Sequence, residues 1–456
     1  MLQRITRTGI AVAALLATTA ACGLSGSSDD SASGSEKVGN CAVDERTVGD
    51  APLKGQVKGK ITFQTTNLKK DFAGYFEPVI DAFEKQHPGT EIEWLDDPGA
   101  EDFTQKLVAK ANACGLPDVV NVNIETAMAL TRARFLLDFD RKVPGIGASF
   151  VPSIWESVEI PGAGGHTVLP WYWAPDVLTY NTELAEKAGL DPDDPPATVL
   201  EWLDQAAQVG KRSGGKYHAM LANPRALTIP HWNAMGVEAV ADDGKSFVFA
   251  DDPRVKQWLT KLKELYRSGA MPKDTLASDE DPSIRFSEGK LVWGSPNPSF
   301  LRNVQQNSPK LYPKTDVAPY PFAQGASYDG QYITVPKTSG NPATAVAFAR
   351  FLLNPQNQTN WSKDPKVVVF PTTTESLKDP FFTAPSDAPG AFGKARKVAA
   401  EEAVGAELAS VKLKWTPVIG QRVSAEFQLA MKGDKSVDQA LKDAQEAANT
   451  VLEQSK

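Results

Sequence analysis

Between Ile61 and Arg134 the chain alternates strand and helix patterns at close spacing, an order that admits few folds. Ile61 and Phe63 alternate with polar neighbours, as a half-buried strand does. A polar loop from Thr65 to Lys70 leads to Phe76, Val79, Ile80 and Phe83, spaced i, i+3, i+4, i+7 along one helical face, with Pro78 expected in the first turn. His87-Pro88-Gly89 closes that helix, and Ile92, Trp94 and Leu95 mark the next strand. Phe103, Leu107 and Val108 mark a second helix, Asp118 to Val122 a third strand and Glu125 to Arg134 a third helix. This alternation predicts an α/β fold with a parallel sheet and right-handed crossovers. Ligands of open sheets bind beyond the carboxyl ends of the strands, which nominates Thr66, Asn67, Asp96, Asp97 and Glu125.

The N-terminus bears on location. Arg4 and Arg7 precede an apolar run from Gly9 to Ala17, too short for the ~20 residues of a membrane span. Ala20-Ala21-Cys22 follows, giving the layout of an export signal over residues 1–22. The cysteine at the cut point resembles a bacterial lipobox, in which the thiol takes a diacylglyceryl group, although Thr19 stands where Leu is usual. The alternative is an ordinary cleaved signal with an incidental cysteine. Residues 23–57, rich in Gly, Ser and Asp, read as a flexible tether, so the body is expected outside the cell membrane on a lipid anchor at Cys22.

About 400 residues remain, more than one hydrophobic core usually serves, so two lobes are expected. The net charge is −8 and no basic run occurs, which argues against nucleic acid. Of three cysteines, Cys22 is assigned to lipid. Cys41 and Cys114 are then either two free thiols or, favoured in an oxidising compartment, a disulfide stapling the tether to the first lobe. Four histidines without spare cysteines predict no metal site.

Ala82-Phe83-Glu84-Lys85 with Pro88-Gly89, Gly115 to Val120, Phe135 to Asp138, Leu178-Thr179-Tyr180-Asn181 and Leu184 to Leu190 form a series of blocks. Phe286 to Lys290, Pro319-Tyr320-Pro321 and Ser436 to Ala444 continue it. In this order they resemble the bacterial extracellular solute-binding proteins, within the family that includes maltose-binding protein. The resemblance implies a type II two-lobed fold with the ligand in the cleft between lobes. One lobe is expected from 58–173 and 319–365, the other from 174–318 and 366–456, with crossings near Ala174, Pro319 and Lys366. It also implies hinge closure over the ligand and membrane permease partners, with no catalytic residue and no cofactor, in a monomer. In the last block, Ser436 with Gln439 forms a capping-box pattern, and Val437, Ala440, Leu441, Ala444, Val451 and Leu452 a buried stripe.

A carbohydrate site needs flat rings against C–H faces and amides or carboxylates against hydroxyls. Trp171-Tyr172-Trp173 precedes the expected hinge, and neighbours in an extended segment alternate sides, so at least one ring should face the cleft. Trp171 and Trp173 are the ones chosen, with core packing the alternative for each. Trp232, expected in a loop after Pro230, Asn297 between two prolines, and Tyr328 and Gln331 are the second group. Asn67, Asp97 and Glu125 complete the set from the first lobe, Trp361 and Trp415 being weaker. Ile419-Gly420-Gln421 stands where relatives carry an aromatic, which argues against maltose itself. The expected ligand is a di- or oligosaccharide delivered to an ABC importer. A polyamine or peptide receptor is the alternative, and a lipid-anchored glycosidase the rival class, for which no carboxylate pair stands out.

Overall fold

The computed structural model describes residues 37–99, 102–277, 282–321, 328–383, 389–403 and 414–454. The expected export signal, Cys22 and residues 23–36 of the expected tether lie outside the described residues, as do the side chains of Tyr328 and Asp329. Among the described residues, no helix is long and apolar enough to cross a membrane.

The second half of the expected tether is part of the folded body. Strands β1 (Lys37–Val38) and β2 (Cys41–Ala42) form a short hairpin. Val38, Cys41 and Val43 are buried, and a disulfide with a Cα–Cα distance of 5.4 Å joins Cys41 to Cys114. Lys142 Nζ donates to the carbonyls of Val48 and Ala51, and Leu53 N donates to Lys142 O at 2.9 Å. Average composition concealed the few apolar residues that dock this arm.

Strands β3 (Gly59–Thr66), β4 (Thr90–Asp97) and β5 (Val119–Val122) pair in parallel in the order β4-β3-β5. Helices α1 (Lys69–Gln86) and α2 (Phe103–Asn112) make the crossovers, and α3 (Ile124–Arg132) follows β5. Pro78 is interior to α1 rather than in its first turn, because the helix begins at Lys69 with a break in helical geometry at Phe72. Its ring faces solvent, away from the buried stripe of Phe76, Val79, Ile80 and Phe83.

The sheet is mixed rather than wholly parallel. β9 (Tyr328–Thr334) pairs antiparallel with β5, β6 (Leu169–Pro175) with β9, and β10 (Phe370–Pro371) with β6. β9 is the strand that returns to this sheet after β8, and β10 forms its edge beside β6. β6 runs directly into β7 (Val177–Asn181), which pairs antiparallel with β8 (Thr315–Pro319) in a separate two-stranded sheet. Only Asp176 separates β6 from β7. β10 keeps the chain on the large sheet at Phe370 and Pro371, beyond Lys366.

Helices cover both sheets. Around β7 and β8, the helices Val199–Ser213, Pro253–Ser268, Pro417–Lys432 and Val437–Gln454 enclose a core containing Leu203, Trp232, Trp258, Phe427 and Leu441. Thr198 and Glu201 form a full capping box. At Ser436 only half of one forms, Gln439 N donating to Ser436 Oγ while its amide turns forward to Asp443. Of the predicted terminal stripe, Ala440, Leu441, Ala444 and Leu452 are buried, and Val437 and Val451 pack at its margin.

Candidate functional site

The strand ends of the large sheet meet the loops of the second lobe at a cavity of about 390 Å³. Thr66, Asn67, Leu68 and Phe72 enter from the end of β3 and the start of α1. Tyr172, Ala174 and Pro175 come from β6, Gly330 and Gln331 from β9, and Trp361 from the helix Pro355–Ser362. The facing wall is Pro230, Pro296, Asn297, Pro298, Ser299 and Arg302, with Asp176 at the junction. Larger or similar hollows, about 710 Å³ beside Lys394 and about 440 Å³ beside the terminal helix, are surface troughs without an aromatic side chain.

Local sequence explains each wall. Asn67 holds a left-handed backbone (φ 51°), which lets the chain turn sharply from β3 into α1 and leaves its side chain exposed at the strand end. Asp96, next to last in β4, accepts from Leu68 N at 3.0 Å and Lys69 N at 3.1 Å, so it caps α1 instead of lining the cavity. Asn297 Oδ1 accepts from Ser299 N at 2.9 Å, capping the short turn Pro298–Phe300 while the residue lines the cavity. Gln331 Oε1 accepts from Asn121 Nδ2 at 2.9 Å, which fixes the amide in the wall.

Of the three adjacent aromatics, the central one reaches the cavity. A register irregularity lies between Pro170 and Tyr172, where β6 has one residue more than β9. The extra residue breaks simple alternation, so Trp171 and Trp173 enter different cores instead of sharing a face. Trp171 is fully buried and stacks on Trp361, ring centroids 5.3 Å apart. Trp173 packs on Phe370, and its Nε1 donates to Pro371 O at 3.2 Å. Tyr172 is half-buried, 5.5 Å from Trp361, and lines the cavity.

Trp232 is in the helix Pro224–Ala234, not a loop, and is buried among Phe249, Trp258, Trp415 and Phe427; Pro230 meets the cavity instead. Its neighbour His231 accepts from Trp258 Nε1 through Nδ1 at 2.9 Å, and burial pushes its pKa down to about 3. Trp415 belongs to the same core. Asp97 accepts from Gly99 N at 3.0 Å, closing the turn after β4, and Glu125 is exposed in the first turn of α3; neither lines the cavity. Tyr328 pairs through its backbone with Pro175, and its side chain lies outside the described part of the residue. The cavity thus gathers Thr66, Asn67, Asn297, Gln331 and Trp361 from the nominated residues, and adds Tyr172, Asp176 and Arg302. Alternation alone could have exposed Tyr172. No local pattern marks Arg302.

A family model described as bacterial extracellular solute-binding protein matches residues 79–390. The chain belongs to that family. The solute-binding protein is 23% identical to the sn-glycerol-3-phosphate-binding periplasmic protein UgpB of Pectobacterium atrosepticum, over 82% of this chain and 87% of the relative. Among solved structures it is similar to a protein of Synechococcus sp. MITs9220 described as an oligosaccharide periplasmic-binding protein, with TM-score 0.74, 26% identity and coverage of 86% and 99%. It also shares its fold with the GacH receptor of Streptomyces glaucescens, solved unliganded and with acarbose, at TM-score 0.70, 20% identity and coverage of 87% and 99%. These neighbours place it among the two-lobed type II binding proteins. Its family is that of solute-binding proteins acting on the extracellular side.

Proposed function

We propose that this solute-binding protein captures a di- or oligosaccharide in the interlobe cavity and hands it to a membrane permease. The observation that carries the reading is the cavity wall itself, which is lined by Tyr172, Phe72 and Trp361 together with the amide residues Asn67, Asn297 and Gln331. Rings match the C–H faces of a sugar, and amides satisfy hydroxyls as donor and acceptor together. The named ligands of the relatives, sn-glycerol 3-phosphate, acarbose and maltose among them, share a hydroxylated carbon skeleton, which supports the same class. At 390 Å³ the cavity is within the ordinary range for small-molecule sites, roughly 300–1,000 Å³.

Closure would carry the facing loops toward Tyr172 by bending at Asp176 and the other segments that join the lobes. The lobes divide as 58–173 with 319 to about 371, and 174–318 with the remainder. The protein acts as a monomer held to the outer membrane face by lipid on Cys22, an assignment supported by the Ala20-Ala21-Cys22 pattern and the apolar run before it.

A thermal-shift panel of neutral di- and oligosaccharides tests the ligand. A saccharide present at 100 times its Kd should stabilise the fold by about 2.7 kcal/mol. A shift with putrescine or a peptide and none with any saccharide overturns the reading. Tyr172→Ala should weaken saccharide binding at least several-fold with little change in the melting temperature of the empty protein.

A further inference from the structure

The cavity wall contains one guanidinium among its described residues, and its neighbours leave that group incompletely paired. Arg302 follows the Pro296–Pro298 turn, and its side chain is only 16% exposed. Its Cζ lies 5.1 Å from the centroid of Phe72, a residue of the opposite lobe. Its Nη2 stands 3.5 Å from Asp71 Oδ2, long beside the ~2.7–2.9 Å of a good charge-assisted hydrogen bond. Its Nε is buried and has no hydrogen-bond partner.

The surrounding charges leave room for an anion. Lys366 Nζ sits 5.4 Å from the same Phe72 ring and donates to the carbonyl oxygen of Asp71, not to its carboxylate. Two cations therefore flank Phe72 where Asp71 is the carboxylate in contact. Asp364 is committed to Lys366 N at 2.8 Å, and Asp176 lies near Tyr320 at the lobe junction. Beside Arg302, Ser299 Oγ accepts from Val368 N at 3.1 Å and keeps its hydroxyl hydrogen to donate.

We propose that the cavity selects a sugar or polyol bearing an acidic group, carboxylate or phosphate, and that Arg302 is the residue that reads it. The inference rests on the carbohydrate reading and narrows it. A carboxylate or phosphate oxygen supplies the acceptor that Nε lacks, and a second oxygen engages the fork at Nη2 in place of the long contact to Asp71. Ser299 donates to the same group. Because Arg302 and Phe72 belong to opposite lobes, an anion held here favours the closed arrangement over the open one.

The test is calorimetry and thermal shift with the intact mature protein against matched probes: glucose, glucuronate, glucose 6-phosphate and sn-glycerol 3-phosphate, with maltose and maltotriose as neutral oligosaccharides. At least one acidic probe should bind about tenfold more tightly than its neutral counterpart, with affinity falling as salt is raised. Glucuronate against glucose 6-phosphate separates a carboxylate from a phosphate site. Arg302→Gln should remove that advantage, so that an acidic probe binds no more tightly than its neutral counterpart. Neutral saccharides binding as well as the acids overturns this inference and leaves the carbohydrate reading intact. Acid binding unchanged in Arg302→Gln, or insensitive to salt in the wild type, also overturns it. Binding of no saccharide, neutral or acidic, overturns both. The salt series needs no variant, so it decides the matter even if Arg302→Gln fails to fold.

Discussion

The two lobes put their aromatic residues to opposite uses. In the first, Tyr172 on β6 lines one wall of the cavity with Phe72 and Trp361 from neighbouring helices. In the second, Trp202, Trp232, Trp258 and Trp415 are sealed inside a helical core, and the cavity meets Pro230, Pro296, Pro298 and Arg302 instead. Geometry accounts for the contrast. On β6 the register irregularity lets Tyr172 present its ring to the cleft while Trp171 and Trp173 feed the core. Amphipathic helices turn their apolar stripes inward and leave cleft contacts to the turns between them. An aromatic residue is therefore informative about the site in one lobe and nearly silent in the other.

Trp361→Ala and Trp232→Ala make the sharpest comparison. Both delete a fully buried indole, so each should cost about 3–5 kcal/mol of stability by denaturant unfolding. Only Trp361→Ala should also weaken solute binding at temperatures where both variants remain folded. Equal effects on binding would erase the distinction drawn between the walls.

The next effect belongs to the first lobe alone. Removing the Cys41–Cys114 disulfide, which closes a loop with sequence separation 73, should lower stability by about 4 kcal/mol in the chain-entropy picture. Cys41→Ser with Cys114→Ser, followed by hydrogen exchange, should show the loss around the Lys37–Val38 hairpin and α2. The core around Trp258 should keep its protection.

His231 gives the second lobe an acid sensitivity. Its pKa is about 3 when folded and 6.5 when exposed, so between these values the unfolded chain binds the extra proton. Stability should then fall as pH drops below 6.5, by up to roughly 1.4 kcal/mol per unit and about 3 kcal/mol at pH 4.5. His231→Gln, which keeps an acceptor for Trp258 Nε1, should flatten that slope in unfolding titrations. The smallest effect is at the helix Val199–Ser213, where Thr198→Ala should cost about 1 kcal/mol by removing a full capping box.

The fold was more legible in the sequence than the site. Ile61, Phe63, Val119 and Val120 carry their strands in a short local pattern, and the helices between them show their stripes within a few turns. The antiparallel additions β9 and β10 were not legible, since they depend on pairings across more than a hundred residues. Asn67, Asn297 and Gln331, nominated from strand ends and rigid turns that mark themselves locally, line the cavity. Trp171 and Trp173 were misplaced because one extra residue in β6 changes which side each ring takes, and Trp232 because Pro230 suggested a loop where the helix continues. Arg302 gains its meaning only from Phe72 and Asp71, which are distant in sequence.

The covalent link at Cys41 also settles how the body bears load. A pull applied to the chain before Cys41 is passed through sulfur to the end of α2, where Cys114 sits with a left-handed backbone. Such tension cannot peel Val43 to Leu53 away from Lys142 one contact at a time, because the force leaves the arm before reaching it. A pull from that side enters the body at the flank of its first lobe, away from the cavity.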